Sequence, residues 1–105
     1  MLQTWIHRIK PGKEARLRDW LAELTFRADE VRQSFSAAGV RAEQAFVLPG
    51  ETGWLLIYVS EAMDHVHAAN VFAASGLAID LEHRETMVEC IEETLNEAPV
   101  YNVVG

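Results

Sequence analysis

The stretch Trp54-Leu55-Leu56-Ile57-Tyr58-Val59-Ser60 places six apolar or aromatic residues in a row before a polar one. A strand with one face in water alternates apolar and polar residues, so this unbroken run predicts a strand that is covered on both faces. The turn-forming residues 49–53 join it to the run Val40–Leu48, and a connection of that length between two strands is most simply a hairpin. The stretch is therefore predicted to be a central strand of a sheet.

The chain before this hairpin predicts one strand and one long helix. Leu2–Ile9 is predicted to be a strand that ends at Pro11-Gly12, because proline and glycine stop a strand and turn the chain. Lys13–Ala38 then carries apolar residues at spacings of three and four, with charged residues between them. This pattern predicts a single amphipathic helix, which Gly39 ends.

The chain after the hairpin predicts two helices and a last strand. Ala62–Ser75 has apolar residues at helical spacing and is predicted to begin its helix near Asp64. Asp80 is a natural N-cap for a last helix over Leu81–Asn96. The β-branched run Pro99–Val104 is predicted to be the fourth strand, with its proline at the start, where no hydrogen-bond donor is needed.

This element order predicts an α+β fold in one domain, residues 1–105, with a four-stranded antiparallel sheet in a split β-α-β arrangement. The long helices have only one apolar stripe each, so they can cover only one face of the sheet. The opposite face is predicted to carry large apolar residues as well: Trp5 or Ile6, Phe46 or Val47, Trp54, Leu56, and Tyr101 or Val103. A second copy of the chain, packed sheet against sheet, is the expected cover, since two-fold homodimers are the commonest soluble oligomers.

The length, composition and charge of the chain limit what kind of protein it can be. A chain of 105 residues with 50% hydrophobic residues can bury one core, and no apolar run approaches the roughly 20 residues of a membrane span. The first five residues do not resemble a signal peptide, and the single cysteine, Cys90, suits a reducing compartment, so we expect a cytoplasmic protein. A formal charge of −7 disfavours nucleic acid and anionic membranes as partners.

The order and length of the predicted elements, together with several short segments, resemble the dimeric α/β-barrel superfamily over the whole chain. This superfamily includes antibiotic-biosynthesis monooxygenases and stress-induced barrel proteins. These segments are Ile9–Lys13, the Tyr58 strand with the Ser60–Asp64 helix start that follows it, and Ala73-Ala74-Ser75. More narrowly, Ile79–Arg84 resembles a motif of a small bacterial family of unknown function within that group. The resemblance implies a ferredoxin-like β-α-β-β-α(α)-β sandwich that pairs into a dimeric α/β barrel.

The resemblance also implies a cavity between the sheet and the helices, where members of the superfamily bind small apolar molecules. Some members degrade haem or oxidise quinol-type substrates there, and the haem-degrading branch has an asparagine near the first strand. This sequence has Gln3 and Thr4 at that place, so no haem is expected, and no cofactor is predicted.

Two residues at the start of the last predicted helix are the candidate catalytic residues. Asp80 and His83 are one helical turn apart, so both side chains can project into the same cavity. A helix N-terminus disfavours the imidazolium ion, so a neutral His83 is expected to act as a base or as a hydrogen-bond donor. The alternative is structural: Asp80 caps the helix and His83 packs on the cap.

The candidate ligand-binding residues are Tyr58, His7, Trp20 and Phe72. Tyr58 and His7 lie on neighbouring predicted strands, and they line the same cavity as His83 only if both point toward the helices, which the sequence does not decide. His65 and His67, two residues apart on a helix, point to nearly opposite sides and so predict no metal site.

Two functions are the main alternatives that the sequence leaves open. One is a small-molecule-binding homodimer, and the alternative is a cofactor-independent monooxygenase or isomerase that acts on an aromatic or polyketide-like compound with His83 as base. No catalytic constellation is complete in the sequence, which favours the first function and leaves enzymatic activity undecided. A third function, a purely structural or partner-binding module, would require that side chains fill the cavity.

Overall fold

The computed structural model describes residues 1–95 and 97–105, and over these residues the chain forms four strands and four helices. In chain order they are β1 (Leu2–Ile9), α1 (Glu14–Phe26), α2 (Ala28–Ala38), β2 (Val40–Pro49), β3 (Trp54–Ala62), α3 (His65–Ala74), α4 (Ala78–Cys90) and β4 (Ile91–Leu95). The predicted α+β class is confirmed.

The four strands form one sheet in the order β2-β3-β1-β4, and each neighbouring pair is antiparallel. The apolar stretch that begins at Trp54 is β3, which lies inside the sheet between β2 and β1, as predicted. Tyr58 lies opposite Trp5 of β1 on one side and opposite Ala45 of β2 on the other. This register fixes which side chains share each face of the sheet, because neighbouring side chains in a strand alternate between faces.

Alternation along β3 separates a buried face from a partly exposed one. Leu56 and Tyr58 are buried and pack in one core cluster with Leu17 of α1, so they face the helices. Leu55 and Ile57 point to the opposite face and are only half-buried. The prediction that Trp54 and Leu56 lie on the face away from the helices is therefore wrong, because an unbroken apolar run contains no alternation that could show which residues face the core.

The predicted long helix is two helices that meet at Arg27. The backbone there has φ −99° and ψ 34°, which interrupts the helical geometry without a proline or a glycine. The Arg27 guanidinium binds Glu30 in the first turn of α2 and Glu82 of α4. The prediction of a single helix over residues 13–38 is wrong, because no proline or glycine marks the break and the contact of Arg27 with Glu82 of α4 leaves no signal in the local sequence.

The helix after β3 begins close to the predicted place. Asp64 is its N-cap and accepts a hydrogen bond from the His67 backbone N–H at 3.0 Å. Ala62 still belongs to β3, so α3 is shorter at its start than the predicted helix over residues 62–75.

The C-terminal part differs most from prediction. The last helix ends at Cys90, and Ile91–Leu95 is β4, which pairs with β1 at the edge of the sheet. Ile91 and Leu95 have a spacing that also fits a helix, which explains the wrong prediction of a helix over residues 81–96. The last position of that prediction, Asn96, lies outside the described residues. The predicted strand over residues 99–104 is not formed, and Tyr101 and Val103 are exposed outside the sheet.

None of the helices formed by the described residues is long and apolar enough to cross a lipid bilayer.

Candidate functional site

A cavity of about 550 Å³ lies between the helix-facing side of the sheet and helices α2, α3 and α4. Its wall is mainly apolar, and its few polar groups come from separate elements: His7, Ser34, Glu43, Tyr58, Ser60, His65, Asp80, His83 and Arg84. A mostly apolar cavity with a few convergent polar groups is typical of a small-molecule site. Helix α2, which begins after the break at Arg27, forms one wall of the cavity.

His83 of α4 projects into this cavity among three aromatic rings. The ring centroids of Trp20, Tyr58 and Phe72 lie 6.1, 6.1 and 5.6 Å from the imidazole centroid. Tyr58 and Phe72 both meet the imidazole edge to face. The three rings come from α1, β3 and α3, so tertiary packing brings together four candidate residues that are far apart in the sequence.

Two hydrogen bonds fix the protonation of His83. The Trp20 Nε1–H donates to His83 Nδ1 at 2.8 Å, and the indole nitrogen has no acceptor capacity, so Nδ1 must be unprotonated. A neutral imidazole then carries its proton on Nε2. That nitrogen lies 3.3 Å from the Tyr58 hydroxyl oxygen, so the Nε2–H donates and the Tyr58 oxygen accepts.

Burial keeps both rings uncharged. It lowers the pKa of His83 to about 4, while the nearby Asp80 carboxylate opposes the shift and His7 adds to it. Burial also raises the pKa of the Tyr58 hydroxyl, and the negative charge of Glu43 raises it further. At neutral pH the pair is therefore a neutral imidazole beside a protonated phenol.

Asp80 holds elements together and makes no hydrogen bond to His83. Its two carboxylate oxygens accept one bond each, from the hydroxyls of Ser34 and Ser75, both at 2.6 Å. The prediction that Asp80 caps the last helix is wrong: Leu77 is the N-cap, and the buried Asp80 lies within the first turn of α4. The helix begins earlier than predicted because the Ser75 hydroxyl accepts the Leu77 backbone N–H and thereby shapes the turn before it.

Of the remaining candidate residues, two line the cavity and one does not. His7 and Phe72 line it, and His7 forms a 2.8 Å hydrogen bond between its Nδ1 and the Thr94 hydroxyl of β4. Tyr58 and His7 thus both point toward the helices, and their rings meet edge to face at 6.1 Å. Trp20 is buried and does not line the cavity, but its indole N–H donates a hydrogen bond to His83, which does.

The sequence did not single out Glu43, which lines the cavity from β2. Glu43 pairs with Ser60 in the sheet register and therefore shares the helix-facing side with Tyr58. Its side chain stays partly open to solvent, yet the apolar surroundings raise the pKa of its carboxyl to about 7. The signal in the sequence was a charged residue at a core-facing strand position, which becomes visible only once the register is known.

Among residues 1–95 and 97–105, no group of three or more histidine, cysteine, aspartate or glutamate side chains is placed to hold a metal ion. His65 approaches the Met1 carbonyl oxygen through its Nε2 at 2.8 Å, and His67 is exposed.

The comparisons with known proteins identify a family whose function is unknown. A search of curated proteins and a search of solved structures both found no significant match. Residues 2–104 match the family described as "Family of unknown function (DUF6176)", which covers nearly the whole chain. The chain therefore belongs to this family, DUF6176.

Proposed function

We propose that the protein is a homodimeric, ferredoxin-like α/β-barrel protein that binds a small apolar molecule in the cavity between its sheet and helices. The observation that carries the proposal is the cavity of about 550 Å³, which is open space lined mainly by apolar side chains, with the Tyr58 and His83 pair on its wall. A partner-binding module with a core filled by side chains has no need of such a space. A cavity of this size is within the range that holds drug-sized ligands.

The strand order supports the ferredoxin-like part of the proposal. The strand β3 lies between β1 and β2, and β1 lies between β3 and β4. Each strand-helix-strand unit is therefore split by one strand of the other unit, which is the arrangement of ferredoxin-like domains.

The open face of the sheet supports the homodimer. Ile6, Leu55, Ile57 and Val59 share this face in the two inner strands, and Phe46 and Leu48 on β2 are about 45% exposed. An apolar face of this kind indicates an interaction surface. A second copy that packs sheet against sheet covers it with the same residues from both chains.

A variant that fills the cavity tests the binding function. Ala68 of α3 is buried against the cavity, whereas Ala73 of the same helix is exposed and does not line it. We expect apolar compounds from a thermal-shift screen to stabilise the wild-type and Ala73→Phe proteins but not Ala68→Phe, because a bound ligand raises the melting temperature only where it fits. Equal stabilisation of Ala68→Phe would contradict binding in this cavity.

The alternative function is a cofactor-independent monooxygenase or isomerase acting on an aromatic or polyketide-like compound. One observation favours it: the Glu43 carboxyl at the cavity has a pKa of about 7, which suits a group that exchanges a proton near neutrality. His83 is less suited to the base role, because Nδ1 accepts from Trp20 and Nε2 already carries a proton. In this alternative Glu43→Gln abolishes turnover while ligand binding remains.

A further inference from the structure

We infer that the ligand of this cavity is an apolar molecule with a carbonyl-type oxygen, and that this oxygen accepts a hydrogen bond from the Tyr58 hydroxyl. The inference rests on the proposed binding function and adds the chemical class of the ligand. It follows from the direction of the hydrogen bonds that run from Trp20 through His83 to Tyr58.

The first donor in this series of hydrogen bonds is Trp20, which does not line the cavity. An indole N–H can only donate, so its 2.8 Å contact leaves His83 Nδ1 no role except acceptor. The imidazole is neutral in its aromatic surroundings and must present its N–H from Nε2, toward Tyr58. Trp20 is thus a positioning residue that selects one tautomer of His83.

The second hydrogen bond in the series runs from His83 to Tyr58. Its hydroxyl oxygen accepts from His83 Nε2–H, so the hydroxyl proton cannot point back at the imidazole. Within the part of the chain that the structure describes, this hydroxyl makes no other hydrogen bond. Tyr58 also lines the cavity, and its proton is therefore available to a ligand oxygen there.

The other polar groups narrow the ligand class. The Asp80 carboxylate, which would attract a cation or a donor, already accepts from Ser34 and Ser75. Glu43 is on the same face of the sheet as Tyr58 and forms no hydrogen bond with it. At the Tyr58 and His83 pair the cavity offers a donor to its ligand, so it prefers a ketone, aldehyde or quinone oxygen over a hydrocarbon of the same shape.

A matched pair of probes tests this inference. The compounds 9-fluorenone and fluorene differ by one carbonyl oxygen, and their affinities for the wild-type protein can be measured by titration calorimetry. We expect 9-fluorenone to bind roughly fivefold more tightly, which is the gain from one net hydrogen bond. The infrared C=O stretch of bound 9-fluorenone should also shift to lower frequency than in an apolar solvent.

Three variants identify the donor. Tyr58→Phe should lose both the preference and the infrared shift, while continued binding of fluorene shows that its cavity is folded. Trp20→Phe should weaken the preference although Tyr58 is kept, because a free Nδ1 lets His83 carry its proton there and accept from Tyr58. Tyr101→Phe removes the hydroxyl of an exposed tyrosine that does not line the cavity, and it should behave as wild type.

The outcomes separate this inference from the proposed function. Equal affinity for the two probes, or a preference that survives in Tyr58→Phe, would overturn the inference and leave small-molecule binding intact. Failure of both probes to bind the wild-type protein would contradict the proposed function and this inference with it.

Discussion

Two hydrogen bonds hold His83 and allow its neutral imidazole only one tautomer, with the proton on Nε2. Nitrogen NMR of the histidine side chains at pH 7 should therefore show an unprotonated Nδ1 and a protonated Nε2, and the ring should titrate near pH 4. The folded pKa lies below the unfolded value of 6.5, so the unfolded chain takes up a proton first as the pH falls. His83 thus contributes stability above pH 6.5 that is lost progressively between pH 6.5 and about 4.

The control for this prediction is Trp20→Phe, which removes the donor to Nδ1. Its His83 spectrum should show a larger share of the Nδ1–H tautomer. A wild-type imidazole that is protonated on Nδ1 at pH 7 would contradict the hydrogen-bond assignment, and one that titrates near pH 6.5 would contradict the lowering of its pKa by burial.

The candidate residues Tyr58, Asp80 and His83 line the cavity. They are visible in the sequence as a tyrosine on a central strand and a polar pair at a helix start, but their hydrogen bonds are not. Trp20 had a place in the apolar pattern of its helix, but its bond to His83 depends on how α1 packs against α4. That packing joins residues 63 positions apart, which no local pattern shows.

Asp80 joins helix α2 to the connection between α3 and α4. Asp80→Ala removes two hydrogen bonds to a buried carboxylate, and we expect it to lower the free energy of unfolding by about 3 kcal/mol. Ser34→Ala removes only one of these bonds and should cost about half as much. Urea denaturation measures both values.

A loss below about 1 kcal/mol in Asp80→Ala would contradict this structural role. Such a small loss would instead favour a catalytic role for the Asp80 carboxylate.

Gly39 and Asp64 mark element boundaries that agree with the prediction, whereas Asp80 and Pro99 do not mark the predicted ones. Gly39 has φ 75° and ends α2 as predicted, and the Asp64 side chain caps α3. The boundaries at Arg27 and Ile91 coincide with tertiary contacts that no local pattern shows: the bond of Arg27 to Glu82, and the pairing of β4 with β1. The spacing of apolar residues fits a continuous helix in both places.

The open face of the sheet is the proposed dimer interface. Ile57→Lys places a charge near the middle of this face, where burial without a partner is unfavourable, so it should convert the dimer to a monomer in sedimentation velocity. Met63→Lys adds the same charge at an exposed position just after β3 and serves as the control. A wild-type protein that sediments as a monomer at micromolar concentration would contradict the proposed dimer.

Intermolecular NOEs can locate a small apolar molecule bound inside the cavity. For 9-fluorenone added to isotopically labelled protein, we expect NOEs from the ligand ring protons to the methyl groups of Ala68, Ile79 and Met87, which line the cavity. NOEs to the methyl groups of Ile6, Leu55 or Ile57 instead would place the ligand on the opposite face of the sheet and rule out binding in the cavity.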